Sequence, residues 1–365
     1  MRRIVLAAVI ALGVGGPGRA VLYAPDDPMV VPVRPDGTAE AFPFDEFRRR
    51  FAQLSNVANP QPGPDGQPNP DRAKVLARVK ARPPAKTADD EAANAADLIR
   101  LGNGGTVAYA DKALNPLFAY RGSRQPNYFV FTTLAAVYAA RGEWRMAEES
   151  HGDGLTLAEM PRQVKGWSDA QRGWLQKFDD TYLPHYYRLQ RNESELKPRP
   201  PPEAEQPTPL FPLPDKEGKA VPVRFVNDAG LYEPGALAAA ERAKLPPDAV
   251  AVVQQMLLLF PGDTRLYWLL AELYAADGML DEALKILDEC AWSRQYGNRV
   301  AFMEHRAAIR AAIDARPVPV VPEPPISLRT IFVYFGVVVL VGVVAVVRAL
   351  RKGGPRPGCG PFGCG

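Results

Sequence analysis

Two stretches of the chain repeat one order of aromatic, apolar, small and polar positions. The first carries Phe131, Leu134, Ala135, Tyr138, Gly142 and Ala147, and the second Tyr267, Leu270, Ala271, Tyr274, Gly278 and Ala283. Steps of three, one and three place the aromatic, Leu, small and Tyr positions along one stripe of a helix, helix A. The glycine then ends that helix, because it can take a positive φ. Ala147 or Ala283 falls where a second helix, helix B, crosses the first most closely, and a larger side chain there would push the pair apart. Each stretch therefore predicts a helical hairpin.

The flanks extend the pattern. Residues 89–103 (DDEAANAADLIRLGN) and 106–120 (TVAYADKALNPLFAY) predict a degenerate pair before the first copy. Residues 245–260 (LPPDAVAVVQQMLLLF) predict a helix ending before Pro261, and residues 298–315 a closing helix after the second copy. In residues 166–191, Trp167, Trp174, Phe178, Tyr182 and Tyr186 form one slowly drifting stripe, interrupted or bent at Pro184. Burial against the preceding helices is one reading of that stripe, and a sugar-stacking or peptide-gripping surface is another. Residues 43–57 predict a short amphipathic helix with Phe44, Phe47, Phe51 and Leu54 on one face beside Arg48, Arg49 and Arg50. It docks on the first helical region or lies on an anionic membrane surface.

Proline punctuates these elements. The 38 prolines cluster at residues 59–70, 197–214 and 316–325, which read as semi-extended spacers. The chain opens with Arg2 and Arg3, an apolar run of about a dozen residues, and the small residues Gly18 and Ala20, the pattern of a signal peptide cut after Ala20 or of an uncleaved anchor. Residues 330–347 carry no charge and are long enough for one transmembrane helix; a buried core helix is the alternative. Arg348, Arg351, Lys352 and Arg356 follow at once and orient the tail toward the cytoplasm. The expected layout is a signal peptide over 1–20 and, over 21–86, an N-terminal segment with the amphipathic helix and a Pro-rich linker. Helical domains at 87–196 and 226–315 are joined by a linker at 197–225. A spacer at 316–329, a membrane span at 330–347 and a cytoplasmic Gly/Cys tail at 348–365 complete the chain. The layout expected is that of a single-pass cell-membrane protein with its N-terminal region exported.

That topology changes the meaning of the formal charge of +3. Removing three basic residues of the leader and four of the tail leaves 37 basic residues against 41 acidic ones, so a nucleic-acid partner is disfavoured. Cys290 is the one cysteine of the exported part, so packing rather than a disulfide stabilises it.

The repeated spacing resembles the tetratricopeptide repeat (TPR), a unit of about 34 residues built from paired helices. The second copy matches better, with Leu287 and Cys290 continuing its helix B. The first copy places His151 and Gly154 at those positions, and Gln295 stands where the family usually carries a closing Pro. The fold class expected is all-α: two short TPR-like helical-hairpin stacks joined by Pro-rich linkers, plus one C-terminal transmembrane helix. The resemblance further implies a groove, lined by helix A, that grips peptide segments of other proteins. Its positions here are Phe129, Thr132, Ala136 and Ala139 in the first copy, and Arg265, Trp268, Glu272 and Ala275 in the second. The Lys and Asn pairs with which some relatives clamp a terminal carboxylate are absent from these positions.

Catalytic signals are poorly represented, and no cofactor is implied. His151, His185 and His305 fall in separate helices, outside any HExxH or CxxH grouping, and read as surface or boundary residues. No GxSxG elbow or Walker loop occurs, and the GxGxxG at Gly13, Gly15 and Gly18 lies inside the leader. Cys359 and Cys364 in the tail supply two thiolates, half of a tetrahedral zinc site, or a flexible tail with no ligand. The function expected is a non-enzymatic, membrane-anchored interaction scaffold. An envelope carbohydrate-binding protein or enzyme using the aromatic stripe, and a redox or metal sensor using the tail cysteines, are the alternatives.

Overall fold

The computed structural model describes residues 30–62, 66–67, 69–102, 107–122, 126–164, 166–198, 201, 205–215, 218–293, 296–316 and 341–348. The expected signal peptide, the first eleven residues of the expected span and the tail cysteines lie outside them. The chain divides into two units, residues 1–315 and 316–365. In the second unit residues 341–348 are helical with exposed side chains. Among the described residues no helix is long and apolar enough to cross a membrane.

The first unit is all-α. Its helices are α1 (Phe44–Ala58), α2 (Pro70–Ala81), α3 (Ala88–Gly102), α4 (Val107–Arg121), α5 (Tyr128–Ala140) and α6 (Trp144–Leu157). They continue with α7 (Asp169–Glu195), α8 (Ala239–Arg242), α9 (Ala249–Leu259), α10 (Thr264–Ala276), α11 (Leu280–Ser293) and α12 (Arg299–Asp314). No strand occurs among the described residues; Val33 and Ala39 form one isolated bridge. Helices α3/α4, α5/α6 and α10/α11 pack as hairpins, α7 follows the second of them, and α12 follows the third.

The two repeated hairpins are built alike. Asn127 caps α5 by accepting from the Val130 amide, and Asp263 caps α10 by accepting from the amides of Arg265 and Leu266. At the other end Gly142 and Gly278 take φ of 78° and 77°. The Gly142 amide donates to the Ala139 carbonyl and Glu143 to Tyr138; Gly278 donates to Ala275 and Met279 to Tyr274. These paired bonds satisfy carbonyls that the helix leaves open and turn the chain into helix B. Ala147 and Ala283 are wholly buried, as the close crossing requires.

His151 and Gly154 also serve the crossing. A Cβ on Gly154 would stand 3.0 Å from the Phe131 Cβ, so the glycine lets α6 approach α5. His151 is buried, and its Nε2 lies 3.0 Å from the Asp179 carbonyl of α7. A carbonyl only accepts, so Nε2 carries a proton. Burial pushes its pKa from 6.5 down to about 4, against the opposing effect of that hydrogen bond. Helix α6 thus continues to Leu157.

Several expectations are corrected. Residues 70–81, for which no helix is expected within the segment 21–86, form α2, because Pro70 sits at the first helical position and Asn69 caps it through the Asp71 amide. Helix α7 runs on through Pro184 without interruption, held by a buried stripe on which Trp174, Phe178, Tyr182 and Tyr186 are all covered. His151 and His185 are core residues rather than surface ones, since α7 covers the first and the ordered segment near Pro209 the second. The linker at 197–225 is not a free spacer along its length: Thr208, Leu210 and Phe211 are buried, and Phe211 meets Tyr182 edge-to-face. The two helical regions consequently share one hydrophobic core instead of reaching independently. Trp174 donates to Asp248 across the regions, and Tyr186 to Asp263. Helix α1 packs on α2, α3 and α9, so it joins the regions rather than docking on the first alone.

Candidate functional site

The predicted groove residues are placed by α5 and α10, and most of them are covered. Phe129, Thr132, Ala136 and Ala139 are buried, with α3, α4 and α6 packed around α5. Thr132 turns its hydroxyl back to the Tyr128 carbonyl, 3.1 Å away, and has no proton left for a ligand. The two sets of residues also do not converge on one cleft; each is buried in its own part of the core. An open groove at these positions is therefore corrected: neighbouring helices occupy it.

On α10 the occupants are specific. Trp268 is 1% exposed and meets Phe302 and His305 of α12 edge-to-face, together with Tyr296. Its indole N–H donates to Glu272 at 2.7 Å, and His305 Nδ1 lies 2.6 Å from the same carboxylate oxygen. Tyr232 stacks flat on His305 at 3.7 Å; burial, reinforced by the Glu272 charge, raises its hydroxyl far above the usual tyrosine range. Ala275 is buried, and its carbonyl accepts from the Gly235 amide. Arg265, the partly exposed member, donates to the Gln206 carbonyl and pairs with Glu193 at 2.6 Å. Segments from 205–211, 232–235 and 296–305 thus seal this face.

A different face, missed by sequence reasoning, holds a polypeptide. Residues 30–43 lead into α1 over α9, turning at residues 34–38, where Val33 and Ala39 form the isolated bridge and the Arg34 amide donates to the Thr38 carbonyl. Gln254, wholly buried, accepts from the Phe42 amide at 2.7 Å and donates to the Phe42 carbonyl at 3.1 Å. Its amide also donates to the Tyr274 hydroxyl at 2.8 Å, which burial holds protonated with a pKa pushed up to about 12. Gln255, equally buried, accepts from the Val31 amide at 3.0 Å. Reading an amide and a carbonyl of one residue with one glutamine ignores the side chain of that residue and recognises backbone. The signal was present in the sequence as two glutamines inside the apolar run AVAVVQQMLLL. Buried amides in such a run need partners.

Side chains add the specificity. Phe44 meets Tyr274 edge-to-face at 5.7 Å, and Phe51 stacks on Tyr267 at 5.0 Å. Arg48 pairs with Glu289, which also accepts from the Tyr267 hydroxyl. Lys285 lies over the Phe44 ring, and Arg50 over Phe42. Burying Phe47 and Phe51 contributes about 1.5–3 kcal/mol each.

Elsewhere, a cavity of about 660 Å³ opens beside α7, lined by Tyr128, Glu159, Arg162, Arg172, Asp179 and Asp180 among others. Asp179 is buried and accepts from the Tyr128 hydroxyl; burial, then the Asp180 charge, raises its pKa well above the usual carboxylate range. Carboxylates and arginines both line it, with no nucleophile–base pair among the lining residues. Among the described residues no cluster of three His, Cys, Asp or Glu side chains is arranged to hold a metal ion. The aromatic stripe of α7 offers no sugar-stacking surface, because Trp174 is buried and Trp167 is packed partly against the core.

No curated protein and no solved structure shows a significant match to the chain. Residues 240–290, from α8 through α11, match the family model described as Tetratricopeptide repeat, so this part of the all-α unit is a TPR-like helical repeat.

Proposed function

We propose that the protein is a non-enzymatic scaffold that holds other polypeptides through TPR-like helical repeats, tethered to a membrane by its C-terminal span. One observation carries the reading. The α9–α11 repeat already holds a non-helical stretch and an amphipathic helix of its own chain by backbone-directed amides and aromatic contacts. Repeats matching this family generally mediate protein–protein contacts, and a face able to seat one such segment has the chemistry to seat another.

The tether rests on sequence. The uncharged run at residues 330–347 is followed by Arg348, Arg351, Lys352 and Arg356, and the leader pattern at residues 1–20 directs residues 21–329 outside the cytoplasm. Tethering raises the effective concentration of the repeats for partners at the same membrane. Cross-linking in intact membranes tests both parts. Links from Lys285, exposed on α11, to a second polypeptide support the scaffold; intrachain links alone reject it. Release of the protein by alkaline carbonate without detergent would reject the span.

A further inference from the structure

We propose that residues 30–51 are an internal ligand occupying a peptide-docking face on α9–α11. The partner of that face is then a polypeptide segment of the same pattern: a main-chain stretch presenting its amides and carbonyls, entering a helix that carries phenylalanines at steps of three and four and, next to the second of them, an arginine placed as Arg48 is. The inference rests on the scaffold reading and names the site and the chemistry of its partner.

The geometry separates this segment from an ordinary element of the core. Gln254 and Gln255 spend their amide groups on the backbone of Phe42 and Val31, residues more than two hundred positions away. A core helix needs no such groups, and burying a pair of amides costs free energy unless each is hydrogen-bonded. Their presence makes the face complementary to main-chain amides and carbonyls. Glu289 selects charge, since it is shared between the Arg48 guanidinium and the Tyr267 hydroxyl. Tyr267 and Tyr274, the first and last aromatic positions of the helix A stripe, supply the surfaces on which Phe51 and Phe44 rest.

The segment is also built to leave. Helix α1 has no side-chain hydrogen bond capping its first turn, where Pro43 stands at the cap position, so its N-terminal end lacks one local source of stability. Its far end is held separately. Val57 packs with Val75 and Leu101, and Arg72 donates to the carbonyls of Val57 and Ala58. Release of residues 30–51 therefore leaves the last turn of α1 as a tether. While docked, the segment competes from within the chain at a high effective concentration, and an incoming partner binds with its affinity reduced by the fraction of closed sites.

The probe is a fluorescent peptide of residues 30–51, titrated by anisotropy against the full chain in detergent. Arg48→Glu in the full chain sets like charges against each other at a half-exposed position and weakens the internal copy while leaving the face intact. Its affinity for the peptide should exceed that of the unaltered chain by about tenfold. Adding Gln254→Leu should remove that gain. The proposal is overturned if the Arg48→Glu chain binds the peptide no better than the unaltered chain, or if Gln254→Leu leaves binding unchanged. It is equally overturned if Arg48→Glu abolishes cooperative folding, which would make the segment a strut. Cross-links from Lys285 to other polypeptides could persist in each of those cases, so the scaffold reading fails or stands separately.

Discussion

The first and second hairpins carry the same turn, the same style of cap and the same buried alanine, yet part company along helix B, notably at the two positions that continue the repeated pattern. Where α11 has Leu287 and Cys290, α6 has His151 and Gly154, and all four are buried. Only the second hairpin lies within the match to the repeat family. The comparison teaches that the crossing geometry is set by side-chain size and turn chemistry. Polarity is tolerated when a neighbour answers it, as the Asp179 carbonyl of α7 answers His151. Glycine goes further than cysteine, bringing α6 so close to α5 that a Cβ would stand 3.0 Å from the Phe131 Cβ.

Exchanging residues between the hairpins breaks or sharpens that comparison. The largest effect is expected from Leu287→His, which removes a fully buried apolar side chain and introduces a polar ring; a loss of about 2–5 kcal/mol should appear in denaturant unfolding. A loss below 1 kcal/mol, roughly the scale of a tolerated core exchange, would show that α11 also offers the ring a partner.

His151→Leu is the reciprocal exchange and is read through pH. The folded-state pKa of His151 is depressed, so its neutral form contributes stability that is full above about 6.5 and is lost as pH falls toward about 4. The loss amounts to about 3 kcal/mol across that window. Asp179 acts in the opposite sense: its raised pKa makes its burial more costly as pH rises above the ordinary carboxylate value of 3.8. Subtracting the unfolding curve of His151→Leu from that of the unaltered chain isolates the histidine. Parallel curves between pH 6.5 and 4 would contradict the depressed pKa.

Gly154→Leu should cost about 1–3 kcal/mol by overpacking against Phe131, whereas Cys290→Val should be milder because that site already accepts a Cβ. Equal melting shifts would mean the two crossings are equally close. The smallest pair concerns the caps. Asn127→Ala should cost about 0.5–2 kcal/mol. Asp263→Ala should exceed it, because Asp263 also accepts from the Tyr186 hydroxyl. Thermal melts showing the reverse order would remove Asp263 as a link between the two regions.

Much of the helical layout was legible. The hairpins, the pair at α3/α4, the helix before Pro261 and the closing α12 all follow from spacing, turn glycines and cap residues. Helix α2 was hidden by its own Pro-rich approach, although Pro70 at the first helical position is a start signal. The candidate site was legible in the wrong place. A stripe on α10 shows that Trp268 and Glu272 share a face, but Phe302, His305 and Tyr232 cover that face from other parts of the chain. The glutamine pair of α9 marked the right place without naming its occupant.

The sequence by itself determined where helices start, turn and cross, because those choices depend on residues within one or two turns of each other and on the conformational freedom of single positions such as Gly142 and Gly278. Tertiary structure alone decided which faces are sealed and which hold a segment. Gln254 meets Phe42 across 212 positions and Trp174 meets Asp248 across 74. Burial is a property of what arrives from elsewhere in the chain, and helical periodicity fixes only the direction from which it is received.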